Sequence, residues 1–215
     1  MHIIFISDLH NHFDAIAKLP QADLLIVGGD FTQLGTADEV LAAVKRIEAH
    51  FPDFVCVGGN MDCPNADDVL RPTGHLLELD KTTVRGCARM RGCGGGNTSP
   101  FNTPFEWSDE EMAPRLAAIP AGEINILVTH APALNGGADR LPNGIGCGSK
   151  ALADFLQVAK PVLHLCGHIH EARGIYEFGE TRIVNPGPFG DDGVYADIVY
   201  DGAKLTRCEL TQCVK

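Results

Sequence analysis

This chain has no apolar stretch approaching the roughly 18 residues that a membrane-spanning helix requires, so no span is expected. It is also short of positive charge. Seventeen Lys and Arg stand against 28 Asp and Glu, for a formal net charge of −11. Affinity for long polyanions rests on cationic side chains, so the lack of a basic tract disfavours nucleic acid as a partner. Internal repeats, low-complexity segments and obvious linkers are missing. The eight cysteines (56, 63, 87, 93, 147, 166, 208, 213) lack zinc-finger spacing and read as reduced, partly buried thiols. Cys63 and Cys147 lie near motif loops, but thiolate ligation is not expected of them. The run Gly92-Cys93-Gly94-Gly95-Gly96-Asn97 lacks the Lys and Ser/Thr that complete a phosphate-binding P-loop, and reads as a tight, flexible loop. A cleavable signal peptide would remove Asp8, so none is expected and the cytoplasm is the expected compartment.

What is present is an ordinary globular composition, 45% hydrophobic and 21% charged, over 215 residues. That length fits one domain, residues 1–215, with a sizeable core. Five short apolar runs recur: Ile3–Ile6, Leu24–Val27, Phe54–Val57, Ile124–Val128 and Val162–Cys166. Nearly continuous apolar runs of this length fit strands covered on both faces. Just past each run stands one or two residues able to bind a metal: Asp8 and His10, Asp30, Asn60, His130, then His168 and His170. In open α/β sheets the crevice beyond the carboxyl strand ends is where ligands bind.

Between the strands, Thr36 with Glu39 forms a capping box that predicts a helix to about His50. Ser108 with Glu111 predicts a second helix to about Ala118, and a third is expected from about Ser149 to Ala159. After Gly174 the pattern changes. Ile175–Phe178, Arg182–Val184, Val194–Tyr200 and Lys204–Leu210 read as the strands of a meander. The expected class is α/β, with two packed mixed β-sheets flanked by helices.

Asp8-x-His10 and His168-x-His170 place paired donors two residues apart, on one face if the backbone is extended. Imidazole nitrogen with carboxylate oxygen suits Mn, Fe, Zn or Ni. Two such ions held about 3.5–4 Å apart acidify a water and clamp the attacking and leaving oxygens of a displacement. Four positive charges against two carboxylates keep such a pocket locally cationic despite the acidic surface.

The series Asp8-x-His10, Gly29-Asp30, Gly59-Asn60, His130 and Gly167-His168-x-His170 resembles the calcineurin-like metallophosphoesterases from residue 8 to residue 170. Gly29-Asp30-Phe31-Thr32, His130-Ala131-Pro132 and Asn185-Pro186-Gly187 further resemble the small prokaryotic branch of that family. The resemblance implies a four-layer αββα sandwich and a dinuclear phosphodiesterase or phosphatase. Asp8, His10, Asp30 and His170 would hold one divalent ion. Asp30 would bridge to a second, completed by Asn60, His130 and His168, and a bridging hydroxide would attack phosphorus in line. Family members commonly carry His after the Asn, followed by Asp or Glu. Here the order is Asn60-Met61-Asp62, and a thioether donates no proton. Asp62 keeps the acid without its partner, and His12 is a candidate replacement donor.

Arg140 and Arg173 are candidate phosphate clamps, with a surface or structural ion pair as the alternative. Phe101, Phe105 and Trp107 either stack on a nucleobase or pack a helix entry onto the core. The loop from Ala131 to Gly148 is a candidate cleft wall. Arg85, Arg89 and Arg91 read as solvated. His2, His50, His75 and His164 read as core or surface histidines. Rival functions are a non-catalytic binding scaffold of the same fold, as in the retromer coat, and a nuclease. A homo-oligomer through the tail strands is an open expectation.

Overall fold

Each apolar run becomes a strand that buries both faces. The computed structural model describes residues 1–213. The first half of the chain contains β1 (His2–Ile6), β2 (Leu24–Val27), α1 (Ala37–Glu48), β3 (Phe54–Cys56), α2 (Ala66–Leu70), β4 (Thr83–Arg85), β5 (Ala88–Cys93), β6 (Gly96–Asn97) and β7 (Glu106–Trp107). The second half contains α3 (Asp109–Ala117), β8 (Ile126–Thr129), α4 (Lys150–Ala159), β9 (Leu163–Leu165), β10 (Gly174–Phe178), β11 (Thr181–Asn185), α5 (Phe189–Asp192), β12 (Val194–Tyr200) and β13 (Leu205–Gln212).

Two large sheets result, in the orders β13-β12-β1-β2-β3 and β10-β11-β9-β8-β5-β4. Their centres are parallel, through β1–β2–β3 in one and β5–β8–β9–β11 in the other. Alternation along each strand assigns the layers. Ile3, Phe5, Leu24 and Ile26 meet Met90, Ile126, Val128 and Leu165 between the sheets. Ile4, Ile6, Leu25 and Val27 face outward against Val40, Val44 and Ile47 of α1. Leu127 and Ile183 face the other way, against Leu116 of α3 and Leu152 and Leu156 of α4. The expected helix–sheet–sheet–helix layering is therefore present.

The three expected helices form where predicted, two of them at the capping boxes. Thr36 Oγ1 accepts from Glu39 N while Glu39 accepts from Thr36 N at 2.8 Å, and Ser108 with Glu111 repeats the arrangement. Ser149 caps α4, and its hydroxyl donates to Asp109 at 2.6 Å, which ties the starts of α3 and α4 together. The tail corrects the expectation of a meander. Its strands form two hairpins that part company: β11 joins β9 in parallel, and β12 joins β1 antiparallel in the other sheet. The short α5 lies between them.

Arg91 is a second correction. It is buried, with its guanidinium bonded to Thr82, the Leu79 carbonyl and Glu123, whereas Arg85 and Arg89 stay at the surface. The glycine-rich run is also not a loose loop. Gly94 and Gly96 lie against Gly58 and Asn60, where an added Cβ would come within 2.7 and 3.0 Å of existing atoms. No helix among the described residues is long and apolar enough to cross a membrane.

Candidate metal centre

The carboxyl ends of β1, β2 and β3 in one sheet meet those of β8 and β9 in the other. All seven predicted donors occupy the turns that leave these strands. The backbone there is not extended, contrary to the reading of the Asp-x-His and His-x-His spacings. Asp8, His10, Asp30 and His168 all have positive φ, at 58°, 46°, 52° and 71°. A left-handed residue with a Cβ costs about 1–2 kcal/mol, so such a cluster persists only where the surroundings over-determine it. They do: the backbone N–H of Asp8 donates to Gly29, and those of Leu9 and His10 both donate to the Asp30 carbonyl at 2.9 Å. The His168 N–H reaches the Asp8 carboxylate at 3.2 Å. Gly29 supplies the close approach. Its φ is +98°, and a Cβ there would lie 2.7 Å from Gly59 N.

The turns point their side chains at one another. His10 Nε2 faces His170 Nε2 at 3.3 Å, and Asp8 Oδ1 lies 3.3 Å from the latter. On the other side Asn60 Oδ1 stands 2.8 Å from both His130 Nε2 and His168 Nδ1. Between the groups lies Asp30, with Oδ2 3.7 Å from His10 and 3.4 Å from His130. Its Oδ1 accepts from Met61 N at 2.8 Å, which leaves Oδ2 toward the centre. Two donor sets, Asp8–His10–His170 and Asp8–Asp30–His130, each bring their atoms within 4.8 Å of one another and could each hold a cation. No cysteine belongs to either set.

The donor chemistry fits metal ions. His130 Nδ1 donates to the Gly28 carbonyl at 2.8 Å, an outer bond that leaves Nε2 as the ligating atom. Burial lowers the His130 pKa, but the charges of Asp30 and Asp8 outweigh it and raise the group to about 9. Burial likewise opposes ionisation of Asp8, yet the His170 hydrogen bond and the nearby imidazoles hold it at about 2. His168, buried beside His130, drops to about 4.

The remaining candidates divide. His12 lines the cleft over the centre, with its Nδ1 3.6 Å from Asp191. Asp62 is fully buried and spends its carboxylate on Thr32 N, Thr32 Oγ1 and Gly59 N, each at 2.8 Å. It braces the turns of Asp30 and Asn60 and does not line the cleft. Burial, helped by the Asp30 charge, raises it to about 7. Arg173 is engaged by the Pro186 carbonyl and Asp192, and Arg140 by the Gly144 carbonyl. Arg173 thus has an ion pair, whereas Arg140 is exposed with a single bond to a neighbouring carbonyl, and neither is among the residues lining the cleft.

The Ala131–Gly148 loop does not wall the cleft either. It folds about the buried Asp139, which accepts from Asn135 N and Gly148 N. The wall of this opening of about 910 Å³ comes from Gln33, Leu34, Met61, Phe101, Asn102, Thr103 and Asp191. Of these, Gln33, Leu34 and Asp191 carry no ligand-type pattern that a reading of the sequence could have found. Among the other histidines, His164 is buried against Thr129, His75 stacks on Phe54, His2 meets Asp197 and His50 is exposed.

An uncharacterized protein of Methanocaldococcus jannaschii is 35% identical over 196 residues, covering 87% of this chain and 88% of its own. Human metallophosphoesterase domain-containing protein 1 is 28% identical over 220 residues, which cover 85% of this chain and 64% of that protein. A solved Thermus thermophilus structure superposes with a TM-score of 0.70 over 99% of both chains at 17% identity, a likeness of fold. The model of the calcineurin-like phosphoesterases matches residues 1–172, a span that contains every one of the seven donors. The chain belongs to the calcineurin-like phosphoesterase family.

Proposed function

We propose that this protein hydrolyses a small phosphodiester or phosphomonoester at a centre of two divalent ions, drawn from Mn, Fe, Zn and Ni. The observation that carries this reading is the position of Asp30, whose free oxygen stands between the His10 and His130 nitrogens. In the proposed assignment Asp8, His10 and His170 would hold one ion, Asn60, His130 and His168 would hold the other, and Asp30 would serve both. Bound there, the ions supply a water of lowered pKa and offset negative charge on the phosphoryl group.

The chain's own residues do the rest. The Gly28 carbonyl keeps the His130 Nδ1 proton in place and so fixes which nitrogen faces inward. Asp62 holds the Asp30 and Asn60 turns at a fixed separation through Thr32 and Gly59. At Met61 no proton can pass to the departing oxygen. Esters whose leaving groups need no protonation are therefore the favoured substrates, and His12, across the cleft, is the side chain placed to supply a proton. General acid help is worth about 10²–10⁴-fold.

The test is metal analysis of the purified protein alongside turnover of a chromogenic phosphodiester with Mn²⁺, Ni²⁺, Co²⁺ and Zn²⁺. Two ions per chain and metal-dependent turnover are expected, with turnover lost in Asp30→Asn. Two bound ions without hydrolysis under any metal would favour a binding scaffold instead. His12→Ala should slow alkyl-leaving esters far more than nitrophenyl ones.

A further inference from the structure

Three aromatic residues precede α3, and the structure separates their roles. Phe105 is buried with its ring 5.5 Å from that of Trp107, and Arg115 covers the other ring at 4.5 Å. Phe101 instead stands 81% exposed in the wall of the cleft. Beside it in the same wall are Leu34, 62% exposed, and Met61, in the same opening as His10, Asp30, Asn60, His168 and His170.

The exposure of Phe101 is not that of an untethered loop. Glu106 accepts hydrogen bonds from the backbone and hydroxyl of Ser99 and from the backbone and hydroxyl of Thr103. The Phe101 N–H donates to Ser99 Oγ at 3.2 Å. The segment is thus pinned on both sides of the ring. Leu34 is held out by a left-handed backbone, φ 56°, and its N–H donates to the Met61 carbonyl at 2.8 Å. Two large apolar side chains kept in water by built-in constraints, at the rim of a cleft of about 910 Å³, leave room for far more than a phosphate group.

We infer that Leu34, Met61 and Phe101 form a shelf that holds a planar aromatic group of the bound phosphate ester, with Phe101 as the specificity-determining residue. This rests on the phosphoesterase reading above. The polar side chains of Gln33 and Asn102 border the shelf, so a ring with a polar rim sits there with hydrogen-bonding groups in reach. An aromatic pair contributes beyond the area it buries, and ring-on-ring contact separates aryl from alkyl esters where the metal ligands see the same phosphoryl group.

The test compares the dissociation constants of phenylphosphonate and methylphosphonate for the full, Mn²⁺-loaded chain. The phenyl compound should bind about tenfold tighter. The ratio should fall to near unity in Phe101→Ala and return in Phe101→Tyr, with the melting temperature unchanged because the ring is exposed. Equal binding of both compounds by the wild-type protein would overturn the shelf and leave the phosphoesterase reading standing. Failure of both compounds to bind at all would overturn the shelf and the phosphoesterase reading together. If Phe101→Ala instead converts a dimer to a monomer in light scattering and leaves the ratio intact, the shelf is a contact between two copies of the chain and the inference fails.

Discussion

His130 and His164 are both fully buried, yet their neighbours drive them apart. His130 faces two carboxylates and is raised to about 9, whereas His164 meets only the Thr129 hydroxyl, and burial pushes it down to about 3. The Thr129 hydroxyl proton goes to the Ala131 carbonyl, so His164 Nε2–H donates to it and Nδ1 is left without a partner. The folded-state pKa of His164 lies below its unfolded value near 6.5. The unfolded chain therefore binds the extra proton between pH 6.5 and about 3, and stability falls as pH drops through that window. His164→Leu removes this sensitivity. Relative to the variant, the wild-type protein should lose about 3 kcal/mol between pH 6.5 and 4, measured by urea unfolding. Asp67 has the opposite sign. Burial raises its carboxyl to about 6, so its cost is present above that pH and relieved below. It is common to both proteins and cancels in the difference.

Among the elements, caps and turns do different work. The capping box of α1 is a local, exposed device, and Thr36→Ala should cost about 1 kcal/mol and lower the melting temperature by about 2–4 °C, with metal content and turnover unchanged. Gly29→Ala should do more than destabilise. Its positive φ and the 2.7 Å approach of an added Cβ to Gly59 N force the Asp30 and Asn60 turns apart. Loss of one or both ions in equilibrium dialysis with Mn²⁺ is expected, with at least a tenfold fall in turnover. Helices α1 and α3 were legible because the capping boxes at Thr36 and Ser108 announce them within a few residues, and α4 because Leu152, Phe155, Leu156 and Ala159 share one face. Helices α2 and α5, of five and four residues, are too short to show a helical period. The parting of the two tail hairpins was not legible either. Alternation along β10 to β13 says which residues turn inward but not which sheet each hairpin will join.

At the scale of the molecule, the two sheets face each other so that five strand ends empty into one place. That arrangement makes metal binding and folding interdependent, since the donors come from residues 8 to 170. Mn²⁺ at about one hundred times its dissociation constant should stabilise the fold by about 2.7 kcal/mol, a rise of about 5–10 °C in melting temperature. A chelator should reverse the rise, and Asp30→Asn should shrink it. An unchanged melting curve across metal and chelator would count against ion binding by this centre.

The identity and order of the seven candidate donors, their attachment to strand ends, the capping boxes of two helices and the apolar face of a third were determined by the sequence alone, because each is written in residues a few positions apart. Which wall closes the cleft, which arginines are occupied and which of three aromatic rings stays exposed were decided only by the tertiary structure. Those outcomes depend on side-chain contacts that no short motif announces: Glu123 reaching Arg91 and Asp192 reaching Arg173 from other segments, and Glu106 pinning the adjoining loop of Phe101. Even the donor turns belong partly to this class. Spacing alone suggested an extended backbone, but packing of the Gly29 turn on Gly59 and of the Leu9 and His10 amides on Asp30 stabilises the left-handed one.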